Sequence, residues 1–496
     1  MTPPSDSSPH SDSPICPQAV KALQPRITRI KQIRVHPWFI SFLAGGFAAL
    51  FVTLLLAMPA TAAEPTVHLI TLDPGHFHAG LVQERMYPEV SPIAHVYAPP
   101  GPDLEEHLKR IAGFNSRIEN PTHWQEKVYA GPDFLERMAQ ERAGNVVVIS
   151  GNNARKTEYI YRAVQAGLNV LADKPMAITP AGFDLLGKAF SKAAEKKVLL
   201  YDIMTQRYEI TTILQRELAR RPEVFGALEH GTPAQPGVEM ESVHHFFKEV
   251  AGNPLTRPAW FFDVRQQGEA IPDVGTHLVD LVQWECFPEQ ALDWKKDITV
   301  QSARRWPTTL SPGQFKRVTG LDNYPDYLKP DVRPDGALDV FQNGEVGYTL
   351  RGVHAKVWAL WRFEAPAGAQ DSHYSLLRGS RAWLRIKQGP EEHYLPTLYV
   401  EQKSDAPAAD FQRALRAALD ALDARWPGLD LKPAGDSWEI IVPEKYGVGH
   451  EAHFAQVTER YLRFLASGQM PAWEVPGMLA KYYTTAQAYA LSHAKP

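Results

Sequence analysis

The chain has 496 residues, of which 44% are hydrophobic and 22% charged, and its formal net charge is -4. That is enough apolar material for two domains with separate cores, and it excludes an intrinsically disordered protein. The slightly negative balance argues against a phosphate-backbone partner, which requires a basic face, so no nucleic acid is expected. With only Cys16 and Cys286 there is neither a disulfide framework nor a thiolate metal site.

Residues 1–20 are rich in Ser and Pro and read as a disordered tail. Lys21, Arg26, Arg29, Lys31 and Arg34 then precede an uncharged run over 38–58, followed by the small residues Ala60, Thr61, Ala62 and Ala63. A basic segment, an apolar segment and a small-residue cleavage site make 1–63 a signal peptide with its leader tail. The run is also long enough to cross a bilayer, so a retained membrane anchor over 38–58 is the rival to cleavage. Under either reading the rest of the chain is expected outside the cytoplasm, in the periplasm or anchored facing it.

Beyond residue 64 short apolar runs alternate with amphipathic stretches. Strands are predicted over 67–72, 93–97, 146–149, 169–172 and 198–201, and helices over 79–86, 104–111, 134–140, 157–166 and 181–194. This alternation implies a Rossmann-like, doubly wound parallel sheet over 64–200. From 201 to 496 the rhythm changes. Segments 346–350, 355–363, 382–386 and 398–401 alternate like antiparallel strands, and 454–490 returns to helical spacing interrupted at Gly468 and Pro471. The expected architecture is α/β, with an α+β second domain built on an open, largely antiparallel sheet.

Two clusters carry chemistry. In a doubly wound sheet ligands sit beyond the carboxyl ends of the strands, where Ser150, Asn152 and Asn153 follow one strand and Asp173 and Lys174 another. In 271–284 (IPDVGTHLVDLVQW) the apolar spacing is helical, which puts Asp273 near the N-cap and His277 on the same face one turn on. A helix N-terminus disfavours imidazolium, leaving His277 neutral and able to accept a hydroxyl proton. Asp280 would either orient that ring or sit in a salt bridge. His244, His245, Lys248, Trp260 and Arg265, which combine rings with charges, are expected on the substrate side. The 12 Trp, 18 Tyr and 21 Phe serve cores and sugar-stacking pockets alike.

On Asp173-Lys174-Pro175, the Asp273-x3-His277 helix and the AKYYTT stretch over 480–485, the chain resembles the glucose-fructose oxidoreductase / inositol dehydrogenase / MocA family, especially its branch with a distinct C-terminal domain. The resemblance covers roughly 64–496. It implies a cofactor, NAD or NADP, and a sugar, glycoside or polyol substrate whose hydroxyl lies between Lys174 and His277. His277 would take the proton, Lys174 would stabilise the alkoxide, and Asp273 would position substrate or His277. A homodimer through the open sheet is also implied.

The glycine fingerprint expected after the first strand is replaced by LDPGHFHAG over 72–80, and the second strand ends in YAPPG over 97–101 without an acidic residue. Asp73, Gly75, His76 and His78 would therefore line an altered cofactor crevice together with the strand-end residues above. Three readings stay open: a modified NAD(P) site, a site for another ligand, or a scaffold without its cofactor. A glycoside lyase or hydrolase that recycles a bound cofactor and a non-catalytic carbohydrate-binding protein are the rival functions. His76 and His78 have no third ligand nearby in sequence, so no metal is expected.

Overall fold

Parallel strands covered on both faces must be apolar throughout. β4 (Val146–Ile149) is buried along its whole length, and β5 (Asn169–Asp173) along all but its first residue. In the computed structural model, which describes residues 65–250, 253–366 and 369–494, both lie in a six-stranded parallel sheet. The other strands are β1 (Leu69–Leu72), β2 (Ile93–Ala98), β3 (Gln125–Ala130) and β6 (Leu200–Ile203), in the order β3-β2-β1-β4-β5-β6. The order reverses between β1 and β4, which places the ligand crevice beyond the carboxyl ends of these two strands. The crossover to the second domain follows Ile203.

Helices α1 (His78–Leu81), α2 (Pro102–Ser116), α3 (Phe134–Glu141), α4 (Asn153–Gln165) and α5 (Pro180–Lys196) connect the strands. The helix predicted over 79–86 stops after one turn, because the chain bends back to pair Val67 with Val90. β3 escapes prediction because it edges the sheet with most of its side chains exposed and therefore carries no apolar alternation.

After α6 (Ile210–Ala219) the chain lays down β7 (Val238–Phe247), a ribbon of β8 (Glu249–Val250) and β9 (Asn253–Pro254), α7 (Val264–Gln267) and α8 (Val274–Cys286). Then come β10 (Ile298–Leu310), α9 (Pro312–Thr319), β11 (Leu338–Leu350), β12 (Val353–Glu364), β13 (Ser372–Arg378), β14 (Ala382–Lys387) and β15 (Thr397–Gln402). The chain closes with α10 (Ala408–Asp420), β16 (Asp430–Ala434), β17 (Ser437–Ile441), α11 (His450–Ser467) and α12 (Glu474–His493). Nine strands form one sheet in the order β10-β11-β12-β7-β13-β14-β15-β17-β16, antiparallel except where β12 meets β7. α8 covers it, with Leu278, Val279, Leu281 and Val282 sharing a core with Val346 and Val357.

The predicted break at Gly468 and Pro471 separates α11 from α12, with Gly468 in the left-handed region at φ 63. The pair packs back on the first domain, Phe454, Val457, Tyr461 and Tyr482 joining the core around Val147 and Leu171. Among the described residues no helix is long and apolar enough to cross a membrane; the anchor or signal predicted within 1–63 lies outside them.

Candidate functional site

Lys174 follows the carboxyl end of β5, and Asp273 is the N-cap residue of α8. The two meet: Lys174 Nζ donates to Asp273 Oδ1 at 2.6 Å, and Gln267 Nε2 donates to the other oxygen at 3.1 Å. Only 12% of the lysine side chain and 4% of the aspartate are exposed, so the pair is held in a nearly dry setting. His277, one turn into α8, is buried and its Nδ1 has no hydrogen-bond partner. Burial pushes its pKa well below the ordinary histidine value, and the Lys174 ammonium adds to the effect, so the ring is neutral at neutral pH. From below, the buried Lys156 of α4 donates to the Lys174 carbonyl at 3.3 Å, and burial lowers its own pKa to about 8.

Asp280 sits in a salt bridge. Arg207 donates to both its oxygens, at 2.6 and 2.7 Å, and Lys481 Nζ lies 2.8 Å from Asp280 and 2.7 Å from Asp202. This buried network ties the crossover after β6 to α8 and α12, and it gives the AKYYTT stretch a structural role.

The turn after β1 lacks the open glycine cradle of the usual fingerprint. Asp73 adopts φ 46 and accepts a hydrogen bond from Tyr159 at 2.8 Å, and burial raises its pKa. A Cβ on Gly75 would lie 2.8 Å from Asp103 Oδ2 and 3.2 Å from the Trp260 ring, so the space is taken by protein. A Cβ on Gly151 would fall 2.2 Å from the Asp73 carbonyl, because the β1 and β4 turns pack backbone to backbone. His76 N donates to the Ser150 carbonyl across that contact at 3.2 Å.

In place of glycines the turn contributes two imidazoles that converge on Asp173. Its Oδ2 lies 2.9 Å from His78 Nδ1 and 3.5 Å from His76 Nδ1, and accepts from Ser150 Oγ at 3.0 Å. The third ligand absent from the neighbouring sequence is thus supplied in space. On the far side of His78, Nε2 stands 3.2 Å from His450 Nε2 of α11. Burial lowers the pKa of His76, His78 and His450, the last to about 3. Against burial, the neighbouring imidazoles hold the Asp173 carboxyl well below its usual range.

Asn152 and Asn153, expected to face a cofactor, spend their amides on protein: Asn152 Nδ2 donates to Gln266 at 2.8 Å, and Asn153 Nδ2 to the Gln267 carbonyl at 2.6 Å. They clamp α7 onto the start of α4. His244, His245 and Lys248, expected on the substrate side, gather round Asp371, with contacts of 3.1, 3.2 and 2.6 Å. His244 also stacks on Trp361, with ring centroids 5.1 Å apart. Trp260 donates to Asp103 at 2.9 Å and so reaches the β1 turn. Arg265 is not brought to this group, because Asp263, Asp331 and the Tyr327 carbonyl take its guanidinium on a half-exposed flank.

The sequence reading missed Asp103, Lys156, Asp371 and His450. Only Lys156 left a signal, since it lies on the apolar stripe of α4 with Ile160, Ala163 and Val164, where an unpaired lysine is out of place.

A family model described as "Putative oxidoreductase C terminal domain" matches residues 214–493. A "putative oxidoreductase" from Parabacteroides merdae ATCC 43184 shares 53% sequence identity, covering 87% of this chain and 98% of its own, with a TM-score of 0.85. Two distant structures share the fold. One is a levoglucosan dehydrogenase solved with NADH and levoglucosan (12% identity, 86% and 96% covered, TM-score 0.53). The other is a 3-ketoreductase from Actinomadura kijaniata solved with NADP and TDP-benzene (13% identity, 86% and 97% covered, TM-score 0.50). No curated protein matches the sequence. The chain therefore belongs to the oxidoreductase family defined by that C-terminal domain, and the distant structures show the fold that its resemblance to the glucose-fructose oxidoreductase / inositol dehydrogenase / MocA family implies.

Proposed function

We propose that the protein is an extracytoplasmic oxidoreductase acting on a hydroxyl of a sugar, glycoside or polyol, with NAD(P) as hydride acceptor. The observation that carries this reading is the pairing of a fixed cation, Lys174 held by Asp273 at 2.6 Å, with the buried, neutral His277 whose Nδ1 is unpartnered. A hydroxyl entering between them meets a base for its proton and a positive charge for the developing alkoxide.

The residues fit a nicotinamide nucleotide in two places. The unpaired His277 Nδ1 and the Lys174 ammonium suit the reacting end. Asp103 stands beside Gly75 and supplies, five residues after β2, the carboxylate missing from the strand end, where ribose hydroxyls need an acceptor. When bound, NAD(P) supplies the hydride acceptor. The chain's own residues do the rest: Asp273 and Gln267 orient Lys174, His277 takes the proton, and burial keeps water from competing. The NADP of the ketoreductase and the NADH of the levoglucosan dehydrogenase support this cofactor, and levoglucosan supports the substrate class.

Extracytoplasmic location rests on the basic segment, the apolar run over 38–58 and the small residues before Glu64. Nicotinamide reduction by the purified protein across a panel of sugars, glycosides and polyols tests the activity, with fractionation of cells testing the location. Reduction by the wild type that disappears in a folded His277→Gln variant is the expected result. Turnover of a sugar with no change in nicotinamide would sink the cofactor assignment.

A further inference from the structure

We propose that His76, His78 and Asp173 form a divalent transition-metal site of the zinc-like nitrogen/oxygen class, lying directly beside Lys174. The three residues each bring a ligand atom within 4.8 Å of the others. Their geometry is that of a first coordination sphere. Zinc bonds of 2.0 to 2.1 Å put tetrahedral ligand atoms about 3.3 Å apart, and the Asp173 oxygen lies 2.9 and 3.5 Å from the two Nδ1 atoms.

Hydrogen bonding alone leaves this arrangement incomplete. Asp173 Oδ2 already accepts from Ser150 and His78, while the buried His76 Nδ1, turned to the same oxygen, has no partner. A buried, orphaned ring nitrogen is destabilising unless something fills the gap. A cation between the two Nδ1 atoms and the carboxylate satisfies all three at once.

The surroundings supply what such a site needs. A histidine that ligates through one nitrogen is held by a hydrogen bond to the other. His78 Nε2 stands 3.2 Å from His450 Nε2 and, once Nδ1 is on the metal, carries the proton that donates to it, and Ser150 Oγ fixes the carboxylate in the same way. Three protein ligands leave at least one coordination position, as in catalytic rather than structural zinc sites. The substitution of imidazoles for glycines after β1 then has a use, which a degraded phosphate loop does not.

The site is independent of the cofactor reading, and its test reads metal rather than turnover. The full chain is stripped with chelator, titrated with CoCl2 and ZnCl2 in turn, and followed by visible absorption, metal analysis and thermal melting. Expected are cobalt d–d bands, close to one ion per chain, a melting point raised by either metal, and loss of the bands in His78→Ala. His450→Asn should weaken binding about 10- to 100-fold without abolishing it, as a group holding a ligand does. The wild-type titration needs no variant to fold. Absence of bands and of any melting shift with either metal would overturn the proposal, as would undiminished binding in a folded His76→Ala/His78→Ala double variant.

Discussion

Lys174 and Asp273 stand 99 positions apart in the chain, yet their charged atoms approach to 2.6 Å, joining the end of a parallel strand in the first domain to the first turn of α8 in the second. The ion pair is thus also a seam between the domains, and the proposed chemistry and the domain packing share it. Lys174→Met is predicted to lower turnover by at least about 10²-fold, as loss of a charge that stabilises an alkoxide does. It also leaves Asp273 buried without its cation, so the variant should melt earlier. Steady-state kinetics with thermal melting checks both, and Lys174→Arg should restore more of the melting temperature than of the rate.

Lys481 is predicted to be the most costly lysine to remove. Its ammonium is fully buried between Asp202 and Asp280, and Tyr482 donates to Asp202 beside it at 2.8 Å. Lys481→Met leaves buried Asp202 without a cation and Asp280 with Arg207 alone, a loss of about 3–5 kcal/mol. A urea unfolding series should show the unfolding free energy falling by that amount, with little change on Lys432→Met, whose partner Glu439 lies on the exposed edge hairpin.

Acid should unfold the protein earlier than its carboxylates alone require. His107 and His453 are buried, and desolvation lowers each pKa to about 4. Between that value and 6.5 the unfolded chain binds protons that the folded chain does not, so stability rises with pH through the window and is lost on acidification. At pH 5 the cost is about 2 kcal/mol per ring. Unfolding free energies measured at pH 7.5 and 5 should differ accordingly, and His107→Gln should narrow the gap.

Two glycines on the same domain should respond oppositely to alanine. Gly151→Ala drives a methyl group to 2.2 Å from the Asp73 carbonyl, which only a shift of the β1 turn relieves. It is predicted to cost about 1–3 kcal/mol and to disturb the site. Gly187, inside α5 with nothing within 4 Å of its Cβ position, should gain about 0.5–1 kcal/mol. Melting of the two variants side by side checks the contrast.

The readable parts of the fold were those where one physical signal acted alone. β4 and β5 are apolar because both faces are covered, and Asp273 and His277 share a face because a helix starts at Val274. β3 was illegible because an exposed edge strand has no reason to alternate. α1 came out short because its length is set by a pairing with Val90, not by its own residues. Within the candidate site, the positions of Lys174 and His277 were legible through the geometry of strand ends and helix starts. Asp371 and His450 were not, because each matters only through partners 123 to 372 positions away. Asn152 and Asn153 occupy the strand-end position that suggests a ligand, but α7 claims their amides first.

The most direct test of the central claim is a single-turnover measurement of nicotinamide reduction, with enzyme in excess over a sugar or polyol substrate and the oxidised product identified. Wild type should form reduced nicotinamide and ketosugar in equal amounts, and folded Lys174→Met and His277→Gln should each form them at least about 10²-fold more slowly. Equal rates in wild type and both variants would contradict the assignment of the chemistry to Lys174 and His277.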